Sequence, residues 1–243
     1  MTSLSTKPLF RAMKAKPKAV SAALPMPLPQ ARRADGEGRR ADDFYPTGQP
    51  EAIRGLLALD GPAIRACGEV WEPACGAGDL VRVIRQAGMV CHASDLIDRA
   101  CVGATVADFF DTVSSPARAI ITNPPYNLIN ARDGHGRWLR HTLDLPGWDY
   151  LALLLSWDWP AARANGLGAL LEARPFSYCY LMRWKLDFTG GGSPPQRNAW
   201  FVWRRGWDEV PMQMRFMDRC DDRQGSMFNS LEAASSTAGM AAE

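Results

Sequence analysis

The residues Asn123, Pro124, Pro125 and Tyr126 end an apolar run, AIIT, with side chains that could do chemistry. Two consecutive prolines neither continue a sheet ladder nor enter a helix interior, so the backbone must leave the strand in a stiff, extended loop. The side-chain oxygen of Asn123 and the backbone carbonyl of Pro124 then become two rigid hydrogen-bond acceptors. The pattern predicts a site that binds an NH2 group through these two acceptors. Its chemistry needs neither a metal ion nor a general base.

A pair of fixed acceptors suits the amino group of a nucleobase or an amide nitrogen, whose lone pair is delocalised into the adjacent π system. When both N–H bonds are held, the nitrogen can become pyramidal and its lone pair can attack an electrophile. Positive charge then grows on the nitrogen, so preoriented acceptors stabilise the transition state more than the ground state. The ring of Tyr126 offers a stacking face for a planar target. Asn-Pro-Pro is also ordinary turn chemistry, which is the structural alternative.

A glycine-containing loop, WEPACGAGDL, precedes this motif by about 45 residues. Gly76 and Gly78 allow a tight turn and a close approach of the backbone to a ligand, where a side chain would clash. The full dinucleotide fingerprint has a third glycine, and Val81 stands at that position. The loop therefore matches the fingerprint in part.

Two acidic residues follow at the ends of the next strand candidates. Asp95 lies about 20 residues beyond the glycine loop, where the hydroxyls of a ribose would be bound. Asp108 ends the third strand candidate and could accept from the amino group of an adenine, with Phe109 or Phe110 against the ring. The structural alternative for Asp108 is a helix N-cap.

The elements that must position these residues alternate between short apolar runs and helical stretches. EVWEPA, VCHASDL, ATVADFF, AIITNPP and YLALLLSW are strand candidates, and GQPEAIRGLLALDG predicts a helix with Pro50 near its start and Gly61 beyond its end. Such alternation predicts an α/β fold with parallel strands and right-handed crossovers. We expect a Rossmann-like three-layer sandwich whose sheet has about seven strands.

The rhythm changes late in the chain, where FSYCYLMRW and NAWFVWRRGW lack a convincing helix between them. These two strand candidates should pair antiparallel at one edge of the sheet, near its C-terminal end. Alternation along the second places Trp200 and Trp203 on opposite faces, so at least one tryptophan belongs to the core. Trp157 and Trp159, in SWDWP, either lie at the rim of the predicted ligand-binding site or pack in the hydrophobic core.

The motifs EPACGAG, SDLID, ADFF and TNPPY, in this order, resemble those of class I S-adenosylmethionine-dependent methyltransferases. TNPPY resembles the fourth motif of the branch that methylates amino groups, and GGGSPPQRNAWFVW is similar to a segment of phage- and prophage-type adenine methyltransferases. The resemblance covers roughly residues 43 to 207. It implies S-adenosylmethionine (SAM) as cofactor and the N6 amine of adenine in nucleic acid, DNA rather than RNA, as target.

The resemblance also assigns roles to individual residues. The catalytic residues that it implies are Asn123, Pro124, Pro125 and Tyr126. DDFYPTGQP resembles a segment that holds the methionine end of the cofactor, so Pro46 joins its neighbours as a candidate contact. The remaining cofactor-binding residues implied are Tyr45, Thr47, Glu72, Pro73, Cys75, Gly76, Gly78, Asp95, Leu96, Asp108, Phe109 and Asn123.

Other functions stay open at this stage. A methyltransferase acting on an RNA base or on a protein glutamine amide would use the same motif, and a nucleic-acid-binding module without turnover is a different class. No gap in the pattern can hold a separate recognition domain, so a methyltransferase of this kind is expected to read a short site or to be weakly specific. The oligomeric state is not predicted.

Composition and charge bound the setting of these motifs. The chain of 243 residues is 47% hydrophobic, enough for one sizeable core. Its six cysteines form no CxxC pair, which predicts reduced thiols and no metal site, and the start of the chain lacks a signal-peptide pattern. We therefore expect a cytoplasmic protein with no membrane-spanning segment.

The charge is distributed unevenly. Residues 1–41 carry nine basic and two acidic side chains, whereas the rest of the chain carries 19 basic and 24 acidic ones. Such a basic arm, rich in proline and alanine, is either a solvated, disordered segment or an attachment to a polyanion. The predicted organisation is a basic arm at 1–41, a methyltransferase domain at 42–220 and a flexible tail at 221–243.

Overall fold

The strands of the computed structural model form one mixed sheet. Within the described residues, 46–129, 136–161, 167–188, 196–207 and 212–219, the eight strands are β1 (Glu69–Glu72), β2 (Val90–Asp95), β3 (Ala104–Val106), β4 (Ala119–Thr122), β5 (Tyr150–Ser156), β6 (Tyr178–Met182), β7 (Asn198–Arg204) and β8 (Gln213–Met217). Their order is β3-β2-β1-β4-β5-β7-β6-β8. β7 runs antiparallel to its neighbours β5 and β6, and the other paired strands are parallel.

Helices cover both faces of this sheet. They are α1 (Glu51–Ala66), α2 (Asp79–Gln86), α3 (Tyr126–Ile129), α4 (Arg137–Asp144) and α5 (Leu167–Ala173), with short 3-10 turns at Phe109–Asp111 and Trp159–Ala161. One buried apolar cluster joins α1 and α2 to the sheet, and a second joins α4 and α5 to the opposite face. The α/β sandwich expected from the sequence is therefore confirmed, with a mostly parallel sheet.

The two late strands pair antiparallel near one edge of the sheet, as predicted, and one further strand lies outside them. β6 and β7 are antiparallel, with Tyr178 opposite Val202. β8 then pairs parallel to β6 and forms the edge itself. This strand was not predicted, because its middle residues, Met214 to Phe216, are all exposed and show no inward-facing alternation.

Helix α1 is longer than its sequence indicated. Gly61 was expected to lie beyond its end, yet the helix continues through Gly61 and Pro62 to Ala66. Tertiary contacts explain the difference, because the Asp60 carboxylate is held by side chains from three strands and Ile64 is fully buried. Packing on the sheet therefore outweighs the local signal to stop.

Both tryptophans of β7 belong to the core. Trp200 lies in the cluster under α1 and donates through Nε1 to the Ala52 carbonyl, at 2.9 Å. Trp203 lies in the opposite cluster and donates to the Arg174 carbonyl, at 3.0 Å. The two tryptophans therefore pack β7 against the helices on both faces of the sheet.

Several predictions fall on parts of the chain outside the described residues. They concern the basic arm, Tyr45, the first residues of the segment GGGSPPQRNAWFVW and the C-terminal tail. Among the described helices, none combines the length and the apolar character that crossing a bilayer requires. The cysteines at 75, 91 and 179 are buried and those at 67 and 101 half-buried, all as free thiols.

Candidate functional site

A cavity of about 370 Å³ opens at the carboxyl ends of the parallel strands. This volume lies within the range of small-molecule and cofactor sites, and this edge of a parallel sheet is where ligands of such folds bind. The ends of β1, β2 and β4 and the loop after β3 all contribute to its wall. The predicted site residues in that wall are Thr47, Glu72, Pro73, Cys75, Gly76, Asp95, Leu96, Asp108, Phe109, Asn123 and Pro125.

The glycine loop is fastened to the neighbouring strand. The backbone N–H of Gly76 donates to Asp95 Oδ2 at 2.7 Å, and that of Cys75 donates to the Ser94 carbonyl at 3.0 Å. Gly78 lies outside the cavity wall and begins α2 in the left-handed conformation, with φ +84°. A Cβ at this position would lie 2.7 Å from the sulfur of Cys101. Glycine is therefore needed at 78 both for its backbone angle and for close packing.

Asp95 has a structural role beside its predicted one. Its Oδ1 accepts from the backbone N–H of Ile97 at 3.1 Å, while Oδ2 holds Gly76. An ionised carboxylate offers about four lone-pair sites, so each oxygen retains capacity for another donor. The binding of a ribose by Asp95 stays a prediction that this geometry allows.

Asp108 is an N-cap, as the structural alternative proposed, and it also lines the cavity. Its Oδ1 accepts from the Phe110 N–H at 2.9 Å, at the start of the 3-10 turn. The carboxylate is exposed, so its second oxygen faces the cavity mouth or solvent. The two roles predicted for Asp108 are therefore compatible.

The aromatic wall includes residues that sequence reasoning missed. Phe109 is stacked on Trp138 of α4, with ring centroids 4.3 Å apart and planes at 16°. Phe110 is half-buried, and the Arg137 guanidinium lies 3.9 Å above its ring. Because Trp138 covers one face of Phe109, Phe110 is the more available partner for a bound ring. The helical spacing of Trp138, Leu139 and Leu143, which are all buried in α4, was the signal for this contact.

The loop after β4 brings Asn123 into contact with the chain before α1. Asn123 Nδ2 donates to Thr47 Oγ1 at 2.9 Å, across 76 residues of sequence. With Nδ2 directed at Thr47, Oδ1 points to the opposite side of the amide. Thr47, predicted as a cofactor contact, thus has a second role: it orients the predicted acceptor.

Tyr126 and Pro124 are close to the cavity but not part of its wall. The Tyr126 hydroxyl donates to the Leu154 carbonyl at 3.2 Å and lies 3.4 Å from Asn198 Nδ2. These contacts tether the ring to β5 and β7. The predicted stacking of a target on Tyr126 stays untested, but a tethered ring has a defined orientation.

Glu72, at the end of β1, is a fully buried carboxyl group. Its Oε1 accepts from the Ala74 N–H at 3.1 Å, and no partner within the described chain reaches Oε2. Burial raises the pKa of Glu72 to about 8, and the nearby Asp95 contributes to the rise. The Ala74 amide and the Thr122 hydroxyl act in the opposite direction without cancelling it. At neutral pH this group therefore holds a proton.

Other side chains have structural contacts. Burial raises the pKa of the Cys75 thiol above its ordinary value, so Cys75 is a packing residue rather than a nucleophile. Arg204 pairs with Asp60 at 2.5 Å, and Trp159 is buried against Phe201. Trp157, in contrast, is 48% exposed. Across the described ranges, no group of three or more His, Cys, Asp or Glu side chains is arranged to hold a metal ion.

Comparison with known proteins identifies the fold. No protein-family model and no curated protein sequence matches the chain. A candidate class I SAM-dependent methyltransferase of Listeria monocytogenes is similar in structure, with 14% identity, a TM-score of 0.54 and coverage of 81% of this chain and 72% of that one. The DrdV–DNA complex matches with 13% identity and a TM-score of 0.53, over 74% of this chain and 28% of that one. The fold is that of class I SAM-dependent methyltransferases.

Proposed function

We propose that this protein is a SAM-dependent methyltransferase that acts on an exocyclic amino nitrogen, namely N6 of adenine in nucleic acid, with DNA preferred over RNA. The observation that carries the proposal is the position of the Asn123–Pro125 loop. Asn123 and Pro125 of this loop line the same cavity as the glycine loop and the strand-end acids Asp95 and Asp108. The proposed cofactor site and the proposed amine-binding residues thus lie in one cavity.

The residues of this cavity fit SAM by chemical type. Asp95 and Asp108 are acceptors suited to ribose hydroxyls and to an adenine amino group, and Leu96 and Phe110 provide apolar contacts. The backbone of the glycine loop can approach a ligand closely because Gly76 has no side chain. When bound, SAM supplies a methyl group on a sulfonium that is a good leaving group.

The loop residues then act on the target amine. Asn123 Oδ1 and the Pro124 carbonyl accept its two N–H bonds, and the prolines keep these acceptors from relaxing. These acceptors would hold the nitrogen while it takes the methyl group that SAM supplies in exchange for the departing thioether, and solvent would accept the proton that the nitrogen then gives up. Thr47 keeps the amide of Asn123 turned with its oxygen away from the Thr47 hydroxyl. Alignment of the reacting atoms supplies much of the remaining rate enhancement.

Nucleic acid is the target class that the supporting observations favour. The fold resembles part of DrdV, which was determined as a complex with DNA. Residues 1–41 carry a large excess of basic side chains, which suits a polyanion. The alternatives are an RNA base or a protein glutamine amide as target, and a module that binds nucleic acid without turnover.

A methyl-transfer assay separates these alternatives. The protein is incubated with SAM labelled in the methyl group and with separate pools of DNA, RNA and protein, and the products are identified by mass spectrometry. We expect N6-methyladenine in the DNA pool, and its formation should be slower by roughly 10²- to 10³-fold with the variant Asn123→Ala. Label in glutamine or in an RNA base would replace the proposed target, and label in no pool would favour the binding module.

The contribution of the basic arm needs its own test. Deleting residues 1–41 should flatten the dependence of DNA affinity on salt concentration, because fewer phosphate contacts release fewer counterions. Affinity is measured by fluorescence anisotropy between about 50 and 200 mM salt. An unchanged slope would show that the arm plays no electrostatic part in binding.

A further inference from the structure

Trp157 is an exposed tryptophan at the carboxyl end of β5. It follows the last residue of that strand, and 48% of its surface is exposed. The two tryptophans of β7, and Trp159 only two residues further along the chain, are in contrast at most 6% exposed. Tryptophans are enriched where proteins bind partners, because one large ring supplies both apolar area and a polar N–H. An indole left in solvent beside a ligand-binding edge therefore indicates a contact with a partner.

Two contacts hold the backbone around Trp157 in place. Its N–H donates to the Arg197 carbonyl at 3.1 Å, which continues the antiparallel pairing of β5 with β7 by one residue. Trp159 is buried and packs against Phe201, so the chain is anchored again directly after the exposed ring. A ring that projects from a fixed backbone loses little conformational freedom when it binds.

Trp157 lies on the side of the proposed amine-binding residues that is away from the cofactor cavity. In the sheet, β4 separates β5 from β1 and β2, which carry the glycine loop and Asp95. The Tyr126 hydroxyl donates to the Leu154 carbonyl at 3.2 Å, so this ring lies on the β5 side. Trp157 follows Leu154 by three residues, which is roughly 10 Å along a strand. A target held at Asn123 would therefore bring its neighbour in the polymer to Trp157.

Cationic side chains accompany the exposed indole. Arg197 is exposed, and its guanidinium donates to the Arg183 carbonyl at 2.6 Å. Lys185, also exposed, follows β6, and β6 ends at the same edge of the sheet as β5 because both are antiparallel to β7. The neighbouring Asp158 accepts from the hydroxyl of the last serine of β5 at 2.7 Å. An aromatic ring beside cations is the combination that binds unstacked bases and their phosphates.

We infer that Trp157 stacks on the base next to the target, and that the protein therefore takes its target from unpaired strands rather than from an intact duplex. This inference names the form of the substrate and rests on the proposed function. In a duplex both faces of each base are covered by its neighbours, so none is available to the indole. An unpaired strand offers such faces, and every base has one, so the contact adds affinity without reading sequence.

Fluorescence anisotropy with two matched DNA probes tests the inference. A labelled single-stranded oligonucleotide containing one adenine, and the fully paired duplex of the same sequence, are titrated with the full-length protein at one salt concentration. The wild type should bind the single strand more tightly than the duplex. Trp157→Ala should weaken binding of the single strand by roughly 5- to 150-fold, which corresponds to one base–aromatic stack, and should change binding of the duplex little.

Kinetics separate a binding role from a structural one. Trp157 is not part of the cavity wall, so Trp157→Ala should raise KM for the oligonucleotide and leave kcat close to the wild-type value. Met212→Ala is the matched control, because Met212 is 55% exposed but precedes β8 at the opposite end of the parallel strands. This control should bind both probes as the wild type does. Thermal unfolding checks that the variants are folded.

Trp157→Phe keeps the test decisive even if the alanine variant does not fold. Phenylalanine retains a stacking face, so most of the affinity for the single strand should remain, while the quenching of tryptophan fluorescence by that strand should disappear. Quenching that persists in Trp157→Phe would overturn the inference, and so would equal losses of single-strand and duplex affinity in Trp157→Ala. If the wild type binds neither probe, the proposed function fails and the inference falls with it.

Discussion

Two buried carboxyl groups at opposite ends of the sheet contrast in how they are satisfied. Asp60, in α1, accepts from the hydroxyls of Tyr150 at 2.9 Å and Tyr180 at 2.7 Å, and from the guanidinium of Arg204 at 2.5 Å. Glu72 accepts one backbone N–H, and no cation of the described residues is among the groups that shift its pKa. Both side chains are at most 3% exposed, so burial alone does not separate them.

The two carboxyl groups differ in which groups supply their hydrogen bonds and their counter-charge. Side chains of this protein supply the hydrogen bonds and the counter-charge of Asp60. These contacts connect α1 to β5, β6 and β7 near the amino end of the parallel strands. Burial, and then the Asp60 charge, raise the pKa of Tyr150 well above its ordinary value, so its hydroxyl remains a donor. Glu72 lies at the carboxyl end, where a ligand would complete the set. A buried polar group left incomplete by the fold is the better marker of function.

The largest effect expected at the carboxyl end is on activity. Asn123→Ala removes one of the two proposed acceptors, so kcat for methyl transfer should fall by roughly 10²- to 10³-fold, while cofactor affinity and stability change little. Thr47→Val, which removes only the orienting hydroxyl, should cost roughly tenfold. Steady-state kinetics together with calorimetric binding of S-adenosylhomocysteine measure both. If Asn123→Ala retains wild-type turnover, the acceptor role is wrong.

At the other end, the largest effect should be on stability. Asp60→Asn leaves the Arg204 guanidinium without its charged partner, and the free energy of unfolding should fall by about 3 kcal/mol, because Arg204 is only partly buried. Asp149→Asn, in an exposed pair with Arg118, should cost much less, because solvent screens that pair. Urea unfolding gives both values. Equal losses in the two variants would contradict the structural role of the Asp60 cluster.

The pH dependence of stability separates the two carboxyl groups most sharply. The pKa of Glu72 is raised from 4.5 to about 8 in the folded protein. Its contribution to stability is therefore fully present below pH 4.5 and is lost as the pH rises towards 8. Glu72→Gln should abolish this loss and make the ligand-free protein more stable than the wild type at pH 8, by on the order of 3 kcal/mol.

This reversal is checked by urea unfolding at pH 5 and pH 8 without cofactor. The two proteins should differ little at pH 5. Asp60→Asn is the matched comparison, because it should be destabilised at both pH values. If Glu72→Gln is the less stable protein at pH 8, Glu72 is compensated in a way that its surroundings do not indicate.

The smallest expected effect concerns the glycine loop. Gly78→Ala forces a left-handed alanine against Cys101 and should destabilise the protein by about 1 to 2 kcal/mol, with weaker cofactor binding. Gly61 lies in α1, where an added Cβ would have no other atom within 4 Å. Gly61→Ala should therefore stabilise the protein by roughly 0.5 to 1 kcal/mol. Thermal unfolding of both variants measures the difference. A Gly78→Ala protein as stable as the wild type would show that the loop relaxes.

The local features of this protein could be predicted from its sequence because their physical causes are local. Alternating apolar runs and helices indicated the parallel strands, and two prolines after Thr122 indicated a rigid loop at a strand end. Since the carboxyl ends of parallel strands share one edge, the glycine loop, Asp95 and Asn123 were expected together, and the cavity wall contains all of them. Neither β8 nor the full length of α1 followed from such patterns.

The amino-acid sequence by itself determined which residue types stand at the ends of the strands, and hence the class of ligand chemistry available there. Only the tertiary structure decided which hydrogen-bond partners the polar side chains have. Asn123 is hydrogen-bonded to Thr47 across 76 residues of sequence, and Asp60 to Tyr180 across 120. Within the described part of the chain, the tertiary structure also brought no cation to the groups that shift the pKa of Glu72. Periodicity reports which face of an element is buried, whereas hydrogen bonds and charge compensation depend on which distant side chains the folded chain brings within about 3 Å.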